Sequence, residues 1–241
     1  MTFHKPGPGM GHIRAILFDK DGTLFDFQAT WGGWAGRMIA DLAGPDLALR
    51  RALAGVMAFD ADSCRFLPHS PVIAGTSREV AELINPLLPP RPGGTETLMA
   101  RMAAAAAVAT LAPVVPLRPL LMRLRGAGYR LGVATNDNES VARSHVSDQI
   151  DLFDFVVGFD SGHGGKPEPG MLLAFARHCG LAPAQVLMVG DSSHDLIAGR
   201  AAGMATLAVL TGVATEADLA PFADAVRPDI GHIPRFLGIE A

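Results

Sequence analysis

Residues 15–26 read AILFDKDGTLFD. Four apolar residues run together and stop at Asp19, which is followed by Lys20, Asp21, Gly22 and Thr23. A short unbroken apolar run ending in polar sequence is how a strand buried on both faces of a parallel sheet reads. In such sheets ligands bind beyond the carboxyl ends of the strands. Two aspartates one residue apart therefore stand where chemistry is expected. Gly22 allows the chain to turn tightly just after them and to offer backbone N–H groups to an anion.

Working outward, five segments share the buried-strand pattern: Arg14–Phe18, Arg130–Ala134, Phe155–Gly158, Val186–Val189 and Ala205–Leu210. Helical spacing falls between the later ones, at Pro116–Ala127, at Gly170–Cys179 and at Asp195–Ala202 with Asp195 as N-cap, and a short helix is expected at Ile233–Leu237. Strands alternating with helices predict an α/β fold with a doubly wound parallel sheet. From Gln28 to Ala112 that rhythm breaks and no buried strand is read. Amphipathic spacing recurs instead at Trp34–Leu42, Asp46–Phe59, Ser77–Leu88 and Thr95–Leu111. The expected organisation is a catalytic core of residues 1–27 and 113–241, with a helical domain of residues 28–112 inserted after the first strand.

The 241 residues are 49% hydrophobic and 18% charged, with a formal charge of -4. That composition fits a packed globular protein and gives no basic footprint for nucleic acid. Cys64 and Cys179 form neither a zinc pattern nor a disulfide framework, which fits a reducing cytoplasm. The N-terminal MTFHKPGPGMGHIR lacks the apolar centre of a secretory signal. The apolar stretch Met102–Leu117 is too short to span a bilayer and contains Pro113 and Pro116. A cytoplasmic monomer or homodimer without membrane or nucleic-acid partners is expected.

The polar residues after each strand form one set. They are Asp19 to Thr23, then Thr135-Asn136-Asp137, then Asp160 with Lys166 beyond the Gly162–Gly165 loop, then Asp191 to Asp195. Carboxylates crowded together repel unless a cation joins them. A hard divalent ion with oxygen ligands, Mg2+ first, answers that requirement, and a lysine on the same rim suits a phosphoryl group.

Four segments in order, AILFDKDGTLFD (15–26), GVATN (132–136), GGKPEP (164–169) and VGDSSHD (189–195), resemble the haloacid dehalogenase superfamily, in its phosphatase branch near phosphoglycolate phosphatase-like enzymes. The resemblance implies a Rossmann-like core with a helical cap, and Mg2+-dependent hydrolysis of a small phosphate monoester, phosphoglycolate favoured. It assigns Asp19 as nucleophile and metal ligand. It makes Asp21 the general acid and base, whose backbone carbonyl also meets the metal. Gly22, Thr135, Asn136 and Lys166 would bind the phosphoryl group, Asp191 would ligate the metal, and Asp195 would support the metal or Lys166. Asp21 argues against dehalogenases and phosphonate hydrolases, which lack it in the family pattern. A sugar phosphomutase is the enzymatic alternative and a non-catalytic binding protein the remaining one. Lys20 departs from the family pattern, and strand alternation expects its side chain to point away from Asp19. Trp31 and Trp34 are expected to pack within the insert, His163 and His194 to be loop residues, and Arg65 and Ser70 are candidates for substrate recognition.

Overall fold

The computed structural model describes residues 10–90 and 92–239. Most of the Pro- and Gly-rich N-terminal stretch, residues 1–9, lies outside them. In chain order, β1 (Ala15–Phe18) leads into α1 (Phe27–Ala43), α2 (Leu47–Val56), the short strands β2 (Phe59–Asp60) and β3 (Arg65–Phe66), then α3 (Ser77–Ile84) and α4 (Gly94–Ala107). The alternating part follows: α5 (Leu117–Gly126), β4 (Arg130–Ala134), α6 (Glu139–His145), β5 (Phe155–Val157), α7 (Gly170–Cys179), β6 (Val186–Gly190), α8 (Ser193–Ala202), β7 (Ala205–Val209), α9 (Glu216–Leu219), β8 (Ala225–Arg227) and α10 (Ile233–Phe236).

All four residues of β1 are buried because the strand runs through the middle of the sheet. The strand order is β5-β4-β1-β6-β7-β8, with every adjacent pair parallel. Successive side chains of β1 feed two separate cores, as the pleat requires. Ile16 and Phe18 join Leu121, Leu131, Val133 and Val189 on one face. Ala15 and Leu17 join Phe175, Met188 and Ala198 on the other. Burying a side chain such as Phe18 or Phe175 contributes about 1.5–3 kcal/mol, so both faces of the sheet must be covered by helices. Phe18 lies opposite Val133 and Val189. The carboxyl ends of β1, β4 and β6 therefore finish side by side, and the polar residues after them are brought to one rim.

The helices between β1 and β4 bury a third apolar cluster, with Trp31, Trp34, Met38, Leu53, Leu98 and Met102 at its centre. The chain enters and leaves this insert through adjacent passages. Asp26 N–H donates to Ala112 O at 2.8 Å and Val114 N–H to Leu24 O at 3.1 Å. The Asp26 carboxylate caps α1 by accepting from Ala29 N–H.

Three local expectations change. The insert contains the antiparallel pair β2–β3, which brings Phe59 opposite Phe66; two residues per strand are too few to leave a periodic signal. The sheet has a sixth strand, β8, a three-residue edge of intermediate burial with no apolar run to announce it. Asp195 is not the N-cap of its helix. Ser192 caps α8, and Asp195 is the N3 partner whose carboxylate accepts from Ser192 N–H at 3.0 Å. Among the described residues, no helix is long and apolar enough to cross a membrane.

Candidate active site

Asp19 leaves β1 with its N–H bonded to Val189 O at 2.8 Å, which fixes it between β1 and β6. Lys166 arrives from the loop before α7 and places its ammonium 2.5 Å from Asp19 Oδ1 and 2.6 Å from Asp195 Oδ1. The same ammonium donates to Ala134 O at 2.8 Å, so its three protons are all engaged. Asp191, at the end of β6, accepts from the Thr23 hydroxyl at 3.2 Å. Gly22 has φ +89°, and a Cβ there would collide with the Asp191 carboxylate. The DGT turn thus needs glycine both for its left-handed backbone and for room beside Asp191. Gly22 N–H bonds to Phe25 O at 2.7 Å, so this amide closes the turn and is not free for an anion.

Asp19, Asp191 and Asp195 each offer an oxygen, and the three oxygens lie within 4.8 Å of one another. Burial pushes the Asp19 carboxyl up to about 7, with Asp195 and Asp21 adding to the rise and Lys166 opposing it. Burial likewise raises Asp191, reinforced by Asp19 and Asp195. Burial would lower the Lys166 ammonium, but Asp19 and Asp195 overcome it and the net shift is upward. Among the described residues lining the cavity, five aspartates face a single lysine. An all-oxygen set of buried, mutually repelling carboxylates fits a hard divalent cation.

Asp21 occupies the other side of the site. Its Oδ2 is 2.6 Å from Lys20 Nζ, while its Oδ1 is buried without a hydrogen-bond partner. Asp21 lines the cavity, so one oxygen is held and the other is available. Lys20 does turn away from Asp19, as alternation expects, and its side chain is fully buried. Its ammonium meets His145 Nδ1 at 3.0 Å and stands 5.1 Å over the Trp31 ring. It also lies 3.3 Å from Asp137 Oδ2, a charge contact without hydrogen-bond geometry. Burial opposes the Lys20 charge, but Asp21 and Asp137 more than compensate. His145 Nε2 faces Ala106 O at 2.8 Å and must therefore donate, so Nδ1 accepts from Lys20. This neutral tautomer agrees with the lowered pKa of His145, caused first by burial and then by Lys20.

The remaining candidates divide. Thr135 is buried, lines the cavity, and accepts from Asp137 N–H at 3.2 Å. Asn136 is committed to bracing. Its Nδ2 donates to Lys166 O and to Ala74 O, and its Oδ1 accepts from Lys166 N–H at 2.8 Å. Its amide therefore positions the Lys166 loop and has no group left over for a phosphoryl oxygen. Trp31 and Trp34 pack edge to face within the insert and also line the cavity. His194 is not a loop residue. It lies in the first turn of α8 and lines the cavity, with Nδ1 buried and unpartnered. Arg65 is exposed on β3, and the Ser70 hydroxyl donates to Met57 O at 2.6 Å; neither is among the described lining residues. The sequence reading missed Phe27, Val72, Val80 and Met102 as lining residues. The spacing Phe27, Trp31, Trp34 is that of one helix face and could have revealed part of this wall. Nothing in the sequence pointed to His145.

A family model for haloacid dehalogenase-like hydrolases matches residues 13–203. A phosphoglycolate phosphatase of Neisseria meningitidis is 31% identical over 228 residues, which cover 92% of each chain. The crystal structure of a "predicted phosphoglycolate phosphatase" from Haemophilus somnus 129pt superposes with a TM-score of 0.70 at 20% identity, over 92% of this chain and 96% of that one. L-2-haloacid dehalogenase from Xanthobacter autotrophicus, with chloropropionic acid covalently bound, shares the fold at a TM-score of 0.63 and 20% identity, over 95% of this chain and 100% of that one. With most of its sheet and all four rim segments inside the matched region, the chain belongs to the haloacid dehalogenase-like hydrolase family.

Proposed function

We propose that the chain is a Mg2+-dependent phosphate monoester hydrolase that works through an aspartyl-phosphate on Asp19. The observation that carries this reading is the division of labour between two aspartates one residue apart. Asp19 is paired with Lys166 beside Asp191 and Asp195, while Asp21 keeps one buried oxygen unpaired at the cavity. A nucleophile for phosphorus and a separate proton carrier for the alkoxide are what a two-step ester hydrolysis needs.

In the first step an Asp19 carboxylate oxygen bonds to phosphorus and the bond to the alcohol oxygen breaks. Asp21 gives its proton to that oxygen. In the second step water attacks phosphorus, its proton goes to the Asp21 carboxylate, and the Asp19–phosphorus bond breaks to release phosphate. Lys166 holds Asp19 in place and offsets negative charge on the transferring group. Asp19, Asp191 and the backbone carbonyl of Asp21 would hold the metal, with Asp195 supporting it. When bound, the ion supplies charge neutralisation that lets an anionic nucleophile meet an anionic ester. The helical insert of residues 28–112 is read as the cap that covers the site and excludes water. The phosphoglycolate phosphatases among the relatives make phosphoglycolate the first named ester to assay. A phosphomutase would use the same two aspartates, and activation by a sugar bisphosphate would mark it.

Phosphate release from a panel of small esters, with Mg2+ or EDTA, tests the reading. Wild type is expected to need Mg2+, and Asp19→Asn to lose activity to background. Unimpaired turnover by the variant would remove the nucleophile assignment.

A further inference from the structure

The geometry points to an ester whose alcohol part is uncharged and apolar, alkyl or aryl; this rests on the phosphatase reading and narrows it. The cavity wall on the side of the insert includes Phe27, the first residue of α1, with Trp31, Trp34, Val72, Val80 and Met102. The hydroxyl on that wall, Ser77 Oγ, already donates to Asp137 at 3.1 Å. Among the described lining residues there is no arginine and no lysine other than Lys166, whose ammonium is shared between Asp19, Asp195 and Ala134 O.

Charge decides against an acidic alcohol part. Five aspartates and one lysine line the cavity. A divalent ion and a phosphoryl dianion cancel each other. Even with Asp21 protonated and Lys20 counted beside it the carboxylates outnumber the lysines, so the site stays negative when loaded. A carboxylate on the leaving group would enter this field against an insert wall whose described residues include no arginine or lysine, and burying an unpaired charge is unfavourable. The unpartnered nitrogen atoms among the described lining residues are the uncharged Trp34 indole N–H and, from α8, His194 Nδ1. The first turn of α3 borders the cavity through Ser77, and its N–H groups could in principle receive an anion. A capping box there occupies the Thr76 and Glu79 N–H groups and sets the Glu79 carboxylate at that end, where its charge opposes a second anion. Lys20 lies beneath the site, buried and paired to Asp21.

The same negative field draws an ammonium toward the carboxylate rim, but an ammonium on the alcohol part would lie against the insert wall, which does not receive it. Aromatic faces can hold a cation, but the Trp31 ring already has the Lys20 ammonium over it at 5.1 Å. A second cation there would face the first. What the wall offers is apolar contact, which an alkyl chain or aryl ring uses fully, and one uncharged donor, the Trp34 indole N–H.

The test compares n-butyl phosphate, phosphoglycolate and O-phosphoethanolamine as substrates of the full chain with Mg2+, reading kcat/KM by phosphate release. All three leave as primary alkoxides, so the alcohol's contact with the wall is the main variable. Butyl phosphate is expected to exceed each of the others at least tenfold, with most of the difference in KM. Met102→Lys, which adds a cation to the wall, is expected to raise kcat/KM for phosphoglycolate and shrink that preference. A wild-type enzyme that prefers phosphoglycolate or phosphoethanolamine overturns the inference. p-Nitrophenyl phosphate separates the two levels. If wild type cleaves it and Asp19→Asn does not, the phosphatase reading survives whichever alkyl ester wins. If no ester is cleaved, both readings fall.

Discussion

Lys166 and Lys20 are both buried and both bridge carboxylates, yet their partners belong to different parts of the molecule. Lys166 reaches only groups of the sheet rim: Asp19, Asp195 and Ala134 O. Lys20 holds Asp21, and its other contacts lead into the insert. His145 passes from Lys20 to Ala106 O, Asp137 accepts from Ser77, and Trp31 lies under the ammonium. The Lys166 ammonium holds Asp19, the nucleophile of the proposed mechanism, with rim groups alone, and meets the insert only through its backbone, where Asn136 bonds both Lys166 and Ala74 O. Lys20 fastens Asp21, the proton carrier of the proposed mechanism, to elements of the insert that line the cavity. The contrast teaches that two buried charges on one sheet rim can serve different ends, according to where their hydrogen bonds continue.

The contrast can be broken from either side. The largest effect is expected for Lys166→Met, where kcat/KM for phosphate release should fall by about 10²–10³-fold, the usual cost of losing one stabiliser of developing charge. A fall below tenfold would remove Lys166 from the phosphoryl site. For Lys20→Met a smaller loss is expected, about tenfold in kcat with KM little changed, because Asp21 stays but is no longer held. This variant should also unfold earlier, since removing one member of a buried ion pair costs about 3–5 kcal/mol. A larger change in KM than in kcat would point to substrate contact instead of positioning.

The third prediction concerns pH and metal. Burial raises Asp19 to about 7, well above its value of 3.8 in an exposed carboxyl. The metal-free fold therefore keeps a proton that the unfolded chain has lost. Its stability should decline as pH rises from about 4 to about 7. A divalent ion favours the ionised form and offsets this decline. The rise in Tm on adding Mg2+ should accordingly be larger at pH 8 than at pH 5.5, and equal rises at both would detach the ion from this carboxylate cluster. The smallest effect is expected for Ser77→Ala, which removes the hydroxyl that Asp137 accepts from. It should cost about 1 kcal/mol in urea unfolding and leave the Lys166 side untouched, with kcat/KM within a few-fold of wild type.

The rim was legible because its residues follow directly on apolar runs. AILF ends at Asp19 and VLMVG at Asp191, so strand and ligand are read in one motion. The network around Lys20 was not, because alternation gives a direction and no partner. His145 is 125 positions away and meets Lys20 only once α6 is docked. The start of α8 was misread by three residues because SSHD offers two residue types that cap helices, and only the fold decides that Ser192 caps while Asp195 answers it. Arg65 and Ser70 lie in a break between insert helices, a position that by itself suggests access to a substrate. The break does exist, but one side chain faces solvent and the other ties down Met57 O. In the insert, helical periodicity identified what is buried and could not say which buried faces border a cavity.

The side-by-side passage of the chain at Asp26 and Ala112 has a consequence for how such a molecule can change. Its two ends are already joined by a backbone hydrogen bond of 2.8 Å. The insert is then, to the sheet, a loop whose closure costs little more for many residues than for few, since that cost grows only with the logarithm of length. Exchanging it for another segment would leave β1 and β4 in register and Asp19, Asp191 and Asp195 in place, while the Lys20 network that holds Asp21 would lose Trp31, Ser77 and Ala106 O. On the proposed cap reading, substrate preference is rewritten in one contiguous stretch of gene, and the support of Asp21 is the one part of the rim that a new segment must rebuild.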